Sequence, residues 1–319
     1  MQFAPARVRA RRMFAAWRRG GAWAGMLGAL CAAAPAQALD LEVYTRANGK
    51  ARAIVAKNPH PAPVHLRIEI TETENVAGVP AALEVVVPPR RELALATASP
   101  VRGDRPMSFS FRRIYSLGDP AARHDDRALY RLPFENGRTF RITQAPGGYS
   151  TTHDSPDTRH AVDIAMPVGT RVVAARGGVV VENVRDFHEG GPDVAFLKQA
   201  NLVRILHDDG TWGEYAHLLR RSSPLVPGQR IETGDFVGLS GNSGYTSGPH
   251  LHFVVKRNGG DDDVSVPIRF YTAALGRLEL REGMEIAAAY DSRRIVARPA
   301  AGAPDAVGAS GAAESSHPR

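Results

Sequence analysis

Cysteine is almost missing from this chain. The single one in 319 residues, Cys31, falls within a leader expected to be removed. The mature chain then has no thiol, which excludes disulfide staples, thiol nucleophiles and cysteine metal ligands. Acidic residues are missing from one place only. None precedes residue 39, whereas Arg7, Arg9, Arg11, Arg12, Arg18 and Arg19 all do. The rest of the chain carries 34 basic and 33 acidic residues, a net of +1, so nearly all of the formal charge of +7 belongs to the N-terminus. A basic face for nucleic acid or an anionic membrane is therefore not implied. Long apolar runs are also lacking: no later segment approaches the about 20 apolar residues that a membrane span needs.

What the N-terminus does have is the order of an export signal. Arginines come first, then "GAWAGMLGALCAAAPAQA", ending in Ala36-Gln37-Ala38. A basic region, an apolar region of small residues and an A-x-A site predict a signal peptide over residues 1–38, cleaved after Ala38. Gly21, Gly25, Gly28, Pro35 and Gln37 weaken the same run as a membrane anchor. Leu30 stands where a lipoprotein would need a small residue before its cysteine. The expected destination is the periplasm or the exterior, and "RRMF" fits a twin-arginine signal.

Residues 39–129 read as strand after strand. "ARAIVAKN", "VHLRIEITE", "ALEVVVPP", "RELALATA" and "MSFSFRRIY" are β-rich and separated by Pro, Gly, Asn and Asp. This spacing predicts an immunoglobulin-like β-sandwich. A second β-rich region follows over 130–290. It contains a hairpin, "NLVRILH" and "TWGEYAHLL", turning at Asp208-Asp209-Gly210. Residues 291–319 are Ala/Gly/Pro/Ser-rich with little to bury, and are expected to be a disordered tail. The expected fold class is all-β.

Seven of the eleven histidines lie between residues 153 and 252. In "GPHLHFVV", His250 and His252 sit at i and i+2 of a predicted strand and so share a face. Such a pair suits a metal ligand beside an acid–base imidazole; two outward polar positions on a half-buried strand would look the same. Asp163, in the apolar run "RHAVDIAMPVGT", is out of place as a solvated charge and needs a partner. His160 is nearer in sequence, but i and i+3 on a strand face opposite ways. His153, on the Gly/Ser/Thr-rich approach "GGYSTTHDSPDT", can loop back to it and is preferred. His207 closes a strand at the hairpin, and His188 sits in the polar insert "RDFHEGGPD", which fails H-E-x-x-H because residue 192 is Pro. "GNSGY" is similar to a serine-protease nucleophile loop, but neither Ser240 nor Ser243 lies in a G-x-S-x-G frame.

Three blocks, "HAVDIAMPVGTRVVAARGGVVV", "NLVRILHDDGTWGEYAHL" and "VPGQRIETGDFVGLSGNSGYTSGPHLHFVV", occur in that order. They resemble the signature blocks of the lysostaphin-type (LytM-domain) zinc endopeptidases, over about residues 144–256. The resemblance implies a LytM-type antiparallel β-sheet catalytic domain that binds Zn2+ and cleaves peptidoglycan peptides. By position it makes His153, Asp163 and His252 the zinc ligands and His217 and His250 the catalytic pair. The family's common H-x-x-x-D block would place a ligand at Arg159, which cannot serve. The chain is closer to a proteobacterial branch in which the histidine comes earlier, from a Ser/Thr-His segment. A non-enzymatic alternative is a degenerate LytM-like regulator that activates a cell-wall amidase. Such proteins typically lack zinc ligands, whereas all five positions are filled here.

Overall fold

The computed structural model describes residues 39–290. The expected signal peptide and C-terminal tail lie outside the described residues. Within them the chain is nearly all β, its one helical element being a 3-10 turn, Val194–Phe196. No described helix is long and apolar enough to cross a membrane.

The N-terminal strands are β1 (Glu42–Asn48), β2 (Ala51–Lys57), β3 (Val64–Glu74), β4 (Val76–Ala77), β5 (Ala82–Val87), β6 (Glu92–Pro100) and β7 (Ser108–Leu117). They form two sheets, ordered β1-β2-β6-β4 and β5-β3-β7. Strand β3 shows why these residues fold this way. Val64, Leu66 and Ile68 are fully buried; of the intervening residues Arg67 is exposed and His65 is covered by its contact with Glu84, so the period-2 pattern is that of a mainly one-sided strand. Their side chains meet Leu41, Val43, Ile54, Ala56 and Val87 in a core drawn from both sheets. This is a two-layer sandwich.

The second region contains β8 (Tyr130–Arg131), β9 (Thr139–Gln144), β10 (Val162–Ala165), β11 (Arg171–Val173), β12 (Gly178–Val184) and β13 (Gly190–Gly191). The hairpin β14 (Leu202–Leu206) and β15 (Trp212–Ala216) follows, then β16 (Arg230–Ile231), β17 (Phe236–Leu239) and β18 (Gly244–Tyr245). The long β19 (His250–Asn258) precedes β20 (Asp263–Ser265), β21 (Phe270–Thr272), β22 (Gly276–Leu278) and β23 (Glu285–Ala287). One antiparallel sheet runs β16-β12-β14-β15-β19-β10-β9-β23, with β20 on β19.

Register assigns each face of that sheet a job. Tyr215, Phe253 and Val162 are successive cross-strand partners and point into a core with Val203, Ile205, Leu251 and Val255. The alternate positions therefore face the other way: Ala216, His252 and Asp163 in one row, Trp212 and Lys256 in another. The sandwich packs on this second face. Trp212, fully buried, clusters with Ala62 and Leu117 of the sandwich side and with Val181. Asn258 Nδ2 donates to the Leu117 carbonyl at 2.8 Å.

Trp212 thus joins the two cores. Trp212→Ala should cost about 3–5 kcal/mol, the usual range for emptying a buried aromatic site. Urea unfolding of the variant beside the parent checks this, and a loss below roughly 1 kcal/mol would show that the contact does not hold the two parts together.

Candidate metal centre and active site

Asp163 and His252 are direct cross-strand partners on β10 and β19. Both are buried, at 4% and 9% exposure. His252 Nδ1 lies 2.9 Å from Asp163 Oδ1. His153, from the segment before β10, brings its Nε2 to 3.4 Å from the other oxygen, Oδ2. The rings of His153 and His252 stand edge-on, 4.9 Å between centroids. One donor atom from each of these three residues lies within 4.8 Å of the other two.

Two further histidines stand beside this trio, and one of them also faces the carboxylate. His250 Nε2 is 3.7 Å from Asp163 Oδ2, and the His217 ring lies 4.6 Å from the His250 ring and 5.9 Å from that of His252. Their tautomers follow from their partners, because a carbonyl oxygen only accepts. His217 Nδ1–H donates to the Ser243 carbonyl at 2.7 Å, and His250 Nδ1–H donates to the Gly248 carbonyl at 2.8 Å. Each ring therefore keeps its lone pair on Nε2.

Burial alone would raise the Asp163 carboxyl, but hydrogen bonds from His153 and His252 and the nearby imidazoles hold it far below the usual range. It is an anion. Burial, reinforced by the neighbouring His250 and His252 rings, pushes His217 down to about 3. His217 is therefore neutral. It also has φ +62, a backbone region few non-glycine residues occupy and one found preferentially at functional sites.

The donor set suits zinc. Two neutral imidazoles and one carboxylate match its borderline-soft preference, and bonds of about 2.0–2.2 Å in a tetrahedron put donors roughly 3.3–3.6 Å apart. The 2.9 and 3.4 Å separations around Asp163 are close to that edge. His153 Nδ1, buried without a partner, leaves Nε2 as the nitrogen engaged with Asp163.

His160 is elsewhere, for a reason different from the expected strand alternation. It lies in a turn over residues 155–160 and its Nδ1 is 3.1 Å from both the carbonyl and the hydroxyl of Ser265. His188 is likewise not among the converging donors. His207 is buried under the hairpin, donating from Nδ1 to the Gly177 carbonyl at 2.9 Å.

A partly buried ion network, centred on the buried Glu214 and Lys256, shares the site's face and was not anticipated. Arg204 bonds Glu214 at 2.6 Å and Glu182 at 2.7 Å; Lys256 reaches Glu214 at 3.1 Å and Asp157 at 3.2 Å. Burial would raise the Glu214 carboxyl, but Arg204 and Lys256 hold it far below the usual range. "VRILH" and "WGEYA" carry Arg204 and Glu214 at strand-interior positions, and such charges on a predicted hairpin are the signal that could have revealed it.

Residues 157–264 match the model of Peptidase family M23. The chain therefore carries a Peptidase M23 domain. The peptidoglycan DD-endopeptidase ShyA of Vibrio cholerae is 38% identical over 128 residues, covering 40% of this chain and 27% of that protein. An uncharacterized metalloprotease of Buchnera aphidicola is 31% identical over 126 residues, covering 39% and 30%. The match thus spans under a third of the length of either relative. Among solved structures, the catalytic domain of lysostaphin from Staphylococcus simulans is 25% identical, with a TM-score of 0.27, covering 36% of this chain and 79% of that one.

Burial, followed by the charge of Arg176, pushes His207 down to about 4, against about 6.5 for a free imidazole. The unfolded chain therefore takes up this proton first. Its stabilising contribution is complete above pH ~6.5 and is lost as pH falls toward the folded-state value. His217 contributes with the same sign, so the measurement is a difference: His207→Gln should unfold with a flatter pH dependence between about pH 6.5 and 4 than the parent. Parallel curves would show that His207 is not a buried neutral base.

Proposed function

We propose that this protein is a zinc-dependent endopeptidase that hydrolyses peptide cross-links of peptidoglycan in the cell envelope. The observation that carries the proposal is the convergence of His153, His250 and His252 on the buried Asp163, with His217 beside the last two rings, within a Peptidase M23 domain. The substrate class is supported by the relatives named as peptidoglycan endopeptidases, and the location by the export signal read at the N-terminus.

His153, Asp163 and His252 would hold the ion. Bound there, zinc supplies a Lewis acid for the scissile carbonyl and a water of lowered pKa. The protein's own groups do the rest. His217 presents the Nε2 lone pair toward the site, because its Nδ1–H is committed to the Ser243 carbonyl. It accepts the proton of the attacking water as negative charge develops beside it. His250, oriented by its Nδ1–H bond to the Gly248 carbonyl, stands next to it and stabilises the oxyanion when protonated. The Asp163 charge opposes, without cancelling, the burial that keeps His217 neutral at rest.

Ligand and catalytic roles separate experimentally. His153→Ala, Asp163→Ala and His252→Ala should each lose stoichiometric zinc together with release of soluble muropeptides, while His160→Ala keeps both. His217→Ala and His250→Ala should retain about one zinc per chain and lose roughly 10²–10⁴-fold in turnover, non-additively when combined. Elemental analysis beside a peptidoglycan-release assay checks every arm. A zinc-free parent protein would instead support the regulator of a cell-wall amidase, and a zinc-replete His217→Ala enzyme with parental turnover would end the proposed mechanism.

A further inference from the structure

His217 has an uncommon backbone conformation, and its ring Nδ1–H bonds the carbonyl of Ser243, in the loop between β17 and β19. That carbonyl can orient the ring only if the loop is itself fixed relative to β15. Two buried polar side chains make the connection. Ser243 Oγ donates to the Leu218 carbonyl at 2.9 Å and accepts from the Asn201 amide at 3.0 Å. Asn201 Nδ2 donates to the same Leu218 carbonyl at 3.1 Å and to the Phe187 carbonyl at 2.8 Å, while its Oδ1 accepts from the Phe187 amide at 3.0 Å. The Leu218 amide in turn donates to the Asn201 carbonyl at 3.1 Å. Ser243 is 4% exposed and Asn201 1%.

The polar insert after β12 completes the arrangement. Its β13 pairs in parallel with β18, Gly190 beside Gly244 and Gly191 beside Tyr245. The approach is too close for a side chain: a Cβ on Gly190 would sit 2.0 Å from the Asn242 carbonyl oxygen. The loop that orients His217 is thus bonded on one side to the residue following His217 and on the other to the insert.

We infer that Asn201 and Ser243 are positioning residues that fix the Nδ1–H tautomer and the ring orientation of His217. This rests on the catalytic assignment of His217 made above. Ser243 is then not a nucleophile: its hydroxyl is committed to the Leu218 carbonyl and its backbone carbonyl to the histidine. Neither side chain touches the donor atoms of the metal centre, so their removal should leave metal binding intact.

Ser243→Ala in the full chain should retain about one zinc, keep KM within roughly threefold and lower kcat by about 10–100-fold, the range for removing a group that orients a site residue. Asn201→Ala should act in the same direction. In a His217→Ala background, Ser243→Ala should reduce turnover by less than about threefold, because the group it positions is gone. A readout independent of turnover is the ring itself. Long-range nitrogen–proton NMR of zinc-loaded protein labelled with 15N-histidine, assigned by His217→Ala, should show a single Nδ1–H tautomer in the parent and a mixture in Ser243→Ala or Asn201→Ala. An unchanged tautomer with parental kcat in both variants overturns the inference, as does a loss of zinc proportional to the loss of kcat. Parental turnover in His217→Ala with the tautomer shift still present would reject the catalytic assignment and leave the positioning role standing.

Discussion

The second half of the molecule is arranged around a carboxylate that an apolar sheet cannot bury unaided. Asp163 lies between Val162 and Ile164, both packed in the core, so its strand cannot move without losing that packing. An isolated ionised carboxylate there would be very costly, and the group would become protonated or the strand would give way. Cross-strand register supplies the answer by placing His252 directly opposite. The pair anchors everything else: His250 follows from β19 periodicity, and His217 follows because Ala216 pairs with His252 at the end of β15. A one-residue slip of β10 or β19 would turn the site row into the core and the core row into the site, so the packing that forbids such a slip also sets the geometry of the centre.

The sandwich and the site use the same face of the same sheet. Trp212 is four residues along β15 from Ala216, which at strand rise is about 13 Å. The sandwich therefore closes the far end of the face on which the centre sits; the intervening row holds Arg204 and Glu214, and Lys256 reaches Glu214 from the Trp212 row. Charges in that strip are satisfied by one another, and removing one partner of such a network leaves an uncompensated buried ion. The strip is thus rigid for an electrostatic reason, while the core beneath it is rigid for a packing reason.

Much of this was legible in the sequence because period-2 patterning and turn residues are local signals. The runs from "ARAIVAKN" to "MSFSFRRIY" became β2, β3, β5, β6 and β7, and the hairpin at Asp208-Asp209-Gly210 is β14–β15. The first strand escaped notice because "EVYTRAN" buries only Val43, although Asn48-Gly49 is a hairpin signal. Side chains held by distant partners were harder to read. His160 and His153 were separated by a strand-face argument, yet His160 lies in a turn and is drawn aside by Ser265, more than a hundred residues away. Ser243 drew attention as a nucleophile candidate, whereas its buried hydroxyl bonds a carbonyl that only the folded loop brings near. The Gly-Gly of the insert carried no periodic signal at all, because a two-residue parallel pair depends on chain paths rather than on pattern.

The differing settings of the histidines also have a physical origin. All four rings near Asp163 are chemically the same group, and what separates them is the acceptor that each finds. His252 and His153 meet the carboxylate at 2.9 and 3.4 Å, which turns their nitrogens toward a common point. His217 and His250 instead meet backbone carbonyls, which fix the proton on Nδ1 and turn a lone pair inward. A carboxylate between two rings adds negative charge for any cation they hold, whereas a carbonyl bonded to an N–H fixes which ring nitrogen keeps its lone pair. The sheet thus makes two kinds of histidine by choosing what stands behind each one.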